Sequence, residues 1–411
     1  MSTPANDEGE SGSEEIAALA DGRRIRGHVD AGYGPVADAF VANFEKRGDL
    51  GAACTVRIDG RVAVDLWGGV ANRRAGTAWT PQTCAVIFSC SKGILAICAY
   101  RLVDQGRLDL DLPIARWWPE FASAGKSEIT VRDAMSHRAG LAWLDTRLNR
   151  AEALAWYPVI EAIERQVPSH PPTAGHAYHP LTYGWILGEV IRRLTGLMPG
   201  AFFRKEIGDR LGLAAWIGLP EHARGTVAWM EPPLPDEDSD AARLAARLAA
   251  SDPTIEPSLT LGQAWGFPVE EGVVSFNDPA IQAAQVPGAN GISTARSLAL
   301  LYAACVAGED VGALLTRPAL EDALRVRAEG PQLTGMPDDG SRWGTGFQLS
   351  SPPSQPMLGA ASFGHAGAGG QLAFGDLEHR VGFAYLTNQM GGYGDARARA
   401  LTTALGRAIA A

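Results

Sequence analysis

Sequence patterns typical of β-strands lie near both ends of this chain, and helical or irregular patterns fill the middle. Residues 51–69 read GAACTVRIDGRVAVDLWGG, two alternating runs joined at Asp59-Gly60, which predict an antiparallel hairpin. Residues 343–389 contain further strand-like runs separated by glycine-rich and polar turns. We therefore predict an α/β (α+β) fold in which both termini build one domain and the middle forms a second, mainly helical domain.

Changes of composition along the chain give the boundaries of these parts. Residues 1–20 begin with MSTPANDEGESGSEE and are predicted to be a disordered acidic tail. Residues 21–130 together with 286–411 are predicted to form the α/β domain, and 131–285 the helical domain. Within the latter, AARLAARLAA at 241–250 predicts a short helix on an insertion, with a structural or lid-like role.

The composition is that of a globular protein, and it argues against several classes of partner. Of the 411 residues, 46% are apolar and 20% are charged, and the net charge of −10 with no basic block argues against nucleic acid. No run approaches the roughly eighteen apolar residues of a membrane span. The five cysteines show neither metal-ligand spacing nor a disulfide framework, and together with the polar N-terminus they predict a cytoplasmic protein.

The stretch FSCSKG at 88–93 places a serine three residues before a lysine at the start of an apolar helix. Residues i and i+3 lie on one face of a helix, so the Lys92 amine can reach the Ser89 hydroxyl. A lysine kept neutral by burial can withdraw a serine proton, which predicts a nucleophile for acyl transfer. Ser123 and Lys126 repeat the spacing, but their segment contains a glycine and is typical of a surface loop, which predicts a bystander.

Acyl transfer also needs proton transfer to the leaving group and stabilisation of an oxyanion. Tyr178 precedes an amphipathic helix. Beside a lysine ammonium its phenolate would be favoured, so it could act as a base toward Ser89 and as an acid toward the leaving alcohol. The alternative is a tyrosine packed at the start of a helix. Tyr183, five residues later, is the reserve candidate.

A second candidate segment is GHAGAGG at 364–370, which strand-like runs bracket. Glycine density lets a backbone come close to a ligand, and an N–H group at a strand edge can point at a developing oxyanion. His365 could add a hydrogen bond to the substrate. The alternative is a glycine-rich turn that contains a satisfied histidine.

Three ordered boxes, SCSK at 89–92, the tyrosine at 178 and HAG at 365–367, carry a resemblance to a known family. The chain resembles the serine β-lactamase-like superfamily, specifically class C β-lactamases, D-Ala-D-Ala carboxypeptidases and above all the family VIII carboxylesterases. ITVRDAMSHRAGL at 129–141 also resembles the family's segment between the first two boxes. The resemblance covers about residues 30–405 and implies a β-lactamase-like antiparallel sheet flanked by helices.

The resemblance also implies a role for each matching residue. Ser89 would be the nucleophile that accepts the acyl group, Lys92 its proton partner, and Tyr178 the tyrosine of the second box. His365-Ala366-Gly367 would match the Lys-Thr-Gly strand box. The backbone N–H groups of Ser89 and Ala368 would then form the oxyanion hole.

Two departures from the family pattern narrow the expected substrate. The second box of lactamases and peptidases is Tyr-x-Asn, whereas position 180 here is proline, so the asparagine that would hold a substrate amide is missing. His365 replaces a lysine, which weakens recognition of the carboxylate that β-lactams and peptide tails carry. Both changes favour an ester over an amide or lactam, although histidine still permits slow lactam turnover.

The sequence therefore predicts a serine carboxylesterase that hydrolyses short-chain acyl esters through an acyl-enzyme at Ser89. The predicted partner is a small-molecule ester, without nucleic acid, membrane, metal or organic cofactor. Two alternatives stay open. One is a β-lactamase, D-amino acid peptidase or transacylase on the same fold, and the other is a non-catalytic β-lactamase-like protein for binding or assembly.

Two other kinds of hydrolase are not favoured. No serine has the Gly-x-Ser-x-Gly setting of an α/β-hydrolase. Three histidines that could suggest a metal site lie in a proline-containing loop without a paired carboxylate, namely His170, His176 and His179. Several apolar residues could line an acyl or alcohol pocket, although core packing is expected for most of them: Trp143, Trp156, Trp265, Trp343 and Phe347.

Overall fold

The computed structural model describes residues 14–234, 252–266, 275–308, 312–334, 338–352, 355–392 and 395–411. Its strands are β1 (Glu14–Ala18), β2 (Arg24–Val29), β3 (Gly51–Ile58), β4 (Arg61–Asn72), β5 (Thr77–Ala78), β6 (Ala85–Val86), β7 (Ala215–Ile217), β8 (Gly291–Ser293), β9 (Arg342–Trp343), β10 (Gln348–Leu349), β11 (Ser362–Ala366), β12 (Leu372–Asp376) and β13 (Val381–Thr387). Its α-helices are α1 (Gly34–Lys46), α2 (Cys90–Asp104), α3 (Val131–Met135), α4 (Arg150–Leu154), α5 (Tyr157–Arg165), α6 (Thr182–Thr195), α7 (Pro199–Phe203), α8 (Ile255–Thr260), α9 (Pro279–Ala283), α10 (Ala295–Val306), α11 (Arg317–Ala323) and α12 (Arg397–Ala410).

Strands from both ends of the chain form one antiparallel sheet, in the order β1-β2-β4-β3-β13-β12-β11-β10-β9, with β5 paired to β4. The predicted hairpin is confirmed: β3 pairs with β4, and Asp59 and Gly60 between them have φ of 49° and 78°. Such positive φ values suit a two-residue hairpin turn. Next to it β13 pairs with β3, from Ala52 opposite Thr387 to Ile58 opposite Val381. The predicted α+β class with an antiparallel sheet is therefore confirmed.

Helices cover both faces of the large sheet. Successive side chains of a strand point to opposite faces, so each strand contributes to a core on either side. On β3, Ala53 packs into a core shared with α2 and α10, whereas Cys54 packs into a core shared with α1 and α12. On β13, Leu386 packs into the first of these cores and Tyr385 into the second. Helix α2, which begins one residue after Ser89, thereby lies against the sheet that carries the glycine-rich segment.

The N-terminal strand corrects one prediction. The predicted disordered tail, 1–20, is wrong for its last residues, because Glu14 begins β1 and lies opposite Gly27 of β2. The acidic side chains do not prevent pairing at this edge of the sheet, since Glu15 forms an ion pair with Arg24 across the strands.

The described elements between residues 131 and 285 are mainly helices, α3 to α9. They also include β7, which pairs with β8, and β8 in turn pairs with β6. The division of the chain into two domains stays a prediction, and the predicted lid-like helix at 241–250 lies outside the described residues. None of the helices within the described ranges is long and apolar enough to cross a lipid bilayer.

Candidate active site

Ser89 lies in a short turn between β6 and α2, where it is the residue that precedes the first helical turn. The residue before it, Phe88, has φ of 43°, a left-handed conformation that is strained for a bulky side chain. The Phe88 ring is buried and packs edge-on against Phe276, with 5.3 Å between the ring centroids. The core thus holds a strained turn that places the serine at the N-terminus of a buried helix, where the backbone favours negative charge.

Lys92 lies one turn further along α2 and is fully buried. Its Nζ donates to Ser89 Oγ at 3.1 Å, to the Pro180 carbonyl at 2.6 Å and to the Gly288 carbonyl at 2.9 Å. Burial lowers the pKa of this amine from 10.5 to about 7, so about half of the lysines are neutral at neutral pH. The carbonyl of Pro180 thus supplies a polar contact at the position where the family pattern has an asparagine.

Tyr178 reaches the same serine from the loop that precedes α6. Its hydroxyl donates to Ser89 Oγ at 2.8 Å, and Lys92 Nζ lies 4.9 Å from the centroid of its ring. Burial raises the pKa of Tyr178 above its usual value, so the expectation of a favoured phenolate is wrong for the resting site. The reserve candidate, Tyr183, instead donates to the Gly346 carbonyl at 3.3 Å.

Three N–H groups of the glycine-rich turn between β11 and β12 donate within the turn itself. Gly367 N donates to the Gln371 carbonyl at 2.8 Å, Gly369 N to Gln371 Oε1 at 2.9 Å, and Gly370 N to the Gly367 carbonyl at 3.1 Å. Ala368 N, between them, meets no acceptor in the part of the chain that the structure describes. Such a free, rigidly held N–H group suits an oxyanion hole.

The turn is held close to Ser89 by contacts between β11 and the start of α2. The Cys90 thiol donates to the His365 carbonyl at 3.0 Å. A side chain at Gly367 would come within 2.6 Å of the Ile87 carbonyl, so only glycine permits this approach. Within the described residues the Ser89 N–H also has no acceptor, so neither of the two donors that the family resemblance implies is engaged elsewhere there, and their role as an oxyanion hole stays a prediction.

His365 is 3% exposed and uncharged. Its Nδ1 lies 2.7 Å from the Ala366 carbonyl, so Nδ1 carries the proton and Nε2 carries a lone pair. Burial, together with the nearby charge of Lys92, lowers the pKa of His365 to about 3. The buried Nε2 has no hydrogen-bond partner among the described residues. The strand box therefore presents a neutral acceptor where a lysine would present a positive charge.

A profile of the beta-lactamase family matches residues 37–408, nearly the whole chain. The chain belongs to the beta-lactamase family. The Esterase/beta-lactamase LipL of Mycobacterium tuberculosis (strain ATCC 25618 / H37Rv) is 30% identical over 375 residues, which cover 90% of this chain and 84% of that relative. The chain is thus a hydrolase of the serine β-lactamase fold.

Two solved structures are similar over almost their whole length. A novel penicillin-binding protein homologue from Caulobacter crescentus has a TM-score of 0.81 and 32% identity, covering 93% of this chain and 99% of that one. A family VIII carboxylesterase has a TM-score of 0.80 and 30% identity, with the same coverage of 93% and 99%. Together they confirm the β-lactamase-like fold.

The remaining residues that the sequence singled out lie away from Ser89 or at the edge of the site around it. Ser123 is exposed and donates to the Glu120 carbonyl at 2.9 Å, while Lys126 Nζ donates to the Gln166 carbonyl at 2.6 Å. No cluster of three metal-ligating side chains occurs among the residues with described positions. Of the predicted pocket aromatics, Trp343 stacks on Tyr178 at 5.1 Å, Trp143 is half-buried, and three are buried in the core: Trp156, Trp265 and Phe347.

Sequence reasoning missed the groups that hold Lys92 and Tyr178 in place. The carbonyl of Gly288 and the side chain of Gln332, which accepts the Tyr178 N–H at 2.8 Å, carry no motif. His137, whose ring lies 4.7 Å from that of Tyr178, was visible only as part of the family-like segment. Many residue types can supply such a hydrogen-bond acceptor, so nothing in the sequence distinguished Gly288, Gln332 or His137.

Proposed function

We propose that the chain is a serine carboxylesterase that hydrolyses short-chain acyl esters through an acyl-enzyme at Ser89. The main support is the position of Ser89 Oγ, which lies 3.1 Å from Lys92 Nζ and 2.8 Å from the Tyr178 hydroxyl. A neutral amine and a neutral phenol at one hydroxyl can remove a proton and supply another, as acyl transfer requires.

In the acylation step Lys92 is neutral, so two N–H groups donate to the Pro180 and Gly288 carbonyls and its lone pair faces the Ser89 hydroxyl. The amine takes the proton of Ser89 as Oγ attacks the ester carbonyl. The N–H groups of Ser89 and Ala368 stabilise the oxyanion of the tetrahedral intermediate. When the intermediate collapses, Tyr178 gives its proton to the leaving alkoxide, and the Lys92 ammonium returns a proton to Tyr178. In net terms Ser89 has lost one proton and the alcohol has gained one, and both Lys92 and Tyr178 regain their starting states.

In the deacylation step, water attacks the acyl carbonyl and the same groups act in reverse. The proton of the water passes through Tyr178 and Lys92 to Ser89 Oγ as the serine leaves, and the carboxylic acid is released. The high pKa of Tyr178 makes this side chain a carrier of protons in transit, and the base of the resting site is Lys92.

The neutral strand box supports an ester substrate. Neutral His365 offers no positive charge to the carboxylate of a β-lactam or a peptide tail, and Pro180 has no side-chain amide to hold a substrate amide. The similarity to a family VIII carboxylesterase and to an esterase/beta-lactamase agrees with this substrate class. The latter relative also supports a second candidate function, a slow β-lactamase activity at the same serine.

Hydrolysis of p-nitrophenyl acetate and butyrate, measured beside hydrolysis of a chromogenic cephalosporin, tests the proposal. We expect ester turnover that Ser89→Ala abolishes and that the matched control Ser123→Ala retains. Strong cephalosporin turnover with little ester turnover would instead identify a lactamase. If neither substrate showed turnover that depends on Ser89, the chain would be a binding or assembly protein.

A second pair of variants tests the tyrosine. Tyr178→Phe should lower kcat about 100-fold or more, because general acid–base catalysis contributes about 10²–10⁴-fold. Tyr183→Phe loses only a 3.3 Å hydrogen bond to a backbone carbonyl and should keep nearly full activity. The opposite pattern would assign the catalytic role to Tyr183.

A further inference from the structure

His137 lies beside Tyr178 but takes no part in the proton transfers described above. It follows helix α3, whose N-terminus is fixed by a capping box between Thr130 and Asp133. His137 is 2% exposed, and its backbone is left-handed, with φ of 62°. A left-handed backbone costs a residue other than glycine about 1–2 kcal/mol, so the surrounding contacts must hold it in place.

Both backbone amides that flank Tyr178 donate to this one residue. Ala177 N donates to the His137 carbonyl at 3.0 Å, and His179 N donates to His137 Nδ1 at 3.2 Å. The N–H of Tyr178 itself donates to Gln332 Oε1 at 2.8 Å. Three consecutive amides are therefore fixed, two of them by His137.

The side chain of His137 also packs against the ring of Tyr178. Its ring centroid lies 4.7 Å from that of Tyr178 and 4.6 Å from that of Trp343. Trp343 in turn stacks on the ring of Tyr178. Because Nδ1 accepts a hydrogen bond, the proton of the neutral imidazole lies on Nε2. Burial, together with the nearby His179 and Lys92, keeps the pKa of His137 well below its usual value, so Nδ1 stays an acceptor at neutral pH.

His179 extends the same set of contacts toward α6. Its Nδ1 donates to the Ala177 carbonyl at 2.6 Å, and its Nε2 accepts the N–H of Leu141 at 3.0 Å. The Thr182 hydroxyl, at the start of α6, donates to the Leu141 carbonyl at 2.6 Å. The segments around residues 137–141 and 177–182 are thus joined by hydrogen bonds along their length.

We propose that His137 is a positioning residue for Tyr178, and that it holds the phenol hydroxyl at Ser89 Oγ through the amides of Ala177 and His179. This inference rests on the proposed function, because it matters for turnover only if Tyr178 transfers protons there. The hydrogen bonds of His137 among the described residues include those to the amides of Ala177 and His179, and its ring lies against that of Tyr178. Its effect on catalysis therefore passes entirely through the tyrosine.

Two substitutions separate the acceptor from the backbone conformation. His137→Gly keeps the left-handed backbone and the carbonyl but removes the acceptor and the ring. His137→Asn also tolerates a left-handed backbone, and its side-chain oxygen can accept the His179 N–H in place of Nδ1. Arg380→Gly, at another left-handed residue in the turn between β12 and β13, is the matched control and should leave kcat unchanged.

For p-nitrophenyl butyrate we expect His137→Gly to lower kcat about 10- to 100-fold with little change in KM, since a displacement of about 1 Å can cost about 100-fold. His137→Asn should recover most of this loss. If kcat of His137→Gly equals that of the wild type, or if His137→Asn loses as much as His137→Gly, the inference is overturned. Thermal unfolding confirms that each variant is folded at the assay temperature.

The decisive measurement combines the substitutions with Tyr178→Phe. If His137 acts through the tyrosine, His137→Gly should cause no further loss once the phenol hydroxyl is gone. A further loss of the same size in that background would show another role for His137. If Tyr178→Phe alone keeps full activity, the proposed function of the tyrosine fails instead, and the two failures are thereby distinguished.

Discussion

We expect ester hydrolysis to slow about tenfold between pH 8 and pH 6, because Lys92 must be neutral to take the proton of Ser89. Burial lowers the pKa of Lys92 from 10.5 to about 7. Since one pKa unit corresponds to about 1.4 kcal/mol, the site favours the neutral amine by about 5 kcal/mol relative to water. With this pKa the neutral fraction is about nine-tenths at pH 8 and about one-tenth at pH 6.

The assay is kcat/KM for p-nitrophenyl butyrate between pH 5.5 and 9, followed at a wavelength where the absorbance of p-nitrophenol does not depend on pH. The logarithm of the rate should rise with a slope of one below about pH 7 and level off above about pH 8. A lysine with an ordinary pKa would give a rate that still rises at pH 9. Such a continuous rise, or a flat profile across the whole range, would refute the assignment of Lys92 as the base.

The titrating group can be identified because the chain has four lysines. Burial also lowers the pKa of Lys126, to about 8, but its amine donates to the Glu164 and Gln166 carbonyls. Lys126→Arg should therefore leave the pH profile unchanged, and nitrogen-15 NMR of labelled lysine should show the Lys92 amine titrating near pH 7. A profile that moves with Lys126 would contradict the assignment.

Three further predictions concern the packing around the site. Gly93→Ala should lower the free energy of unfolding by about 1–3 kcal/mol, because its Cβ would lie 2.1 Å from the Tyr302 hydroxyl. Tyr302→Phe should restore it, since that hydroxyl has no partner among the described residues, and a lack of rescue in urea unfolding would contradict this. Iodoacetamide at pH 8 should label none of the five buried cysteines in the folded protein, because burial raises the pKa of Cys90, for example, to about 12. Labelled cysteine peptides in mass spectrometry would contradict this prediction. Arg397→Gln should cost about 3–5 kcal/mol in urea unfolding, because it leaves Asp49 buried without its cation, whereas the exposed control Arg399→Gln should cost almost nothing.

The residues that we propose to perform the chemistry could be singled out from the sequence, because their positions relative to helices reflect local geometry. Ser89 and Lys92 are three residues apart on one helix, and Tyr178 lies directly before another. The hairpin at Asp59-Gly60 is likewise a local signal, fixed by the turn that those two residues favour. The hairpin needed only a few neighbouring residues, whereas Tyr178 was singled out by its order after the SCSK box and before the HAG box.

The groups that tune the chemistry could not be predicted, because they are brought together from distant parts of the chain. The carbonyls of Pro180 and Gly288 are backbone atoms that any residue could supply, and only the folded chain aims them at Lys92. The phenolate prediction for Tyr178 failed for a related reason. It considered the nearby ammonium but not the burial of the phenol, and burial has the largest effect on the pKa of Tyr178.

The two carbonyls that accept hydrogen bonds from Lys92 have a consequence for how the protein acquires its reactivity. They lie 88 and 196 residues away from the lysine in sequence, so no short segment of the chain can bury this amine. In an unfolded or newly made chain Lys92 would have the pKa of an ordinary lysine, about 10.5, and Ser89 would be as inert as any serine. If Ser89 is the nucleophile that we propose, it becomes reactive only as the tertiary structure closes around Lys92, so ester hydrolysis reports on correct folding.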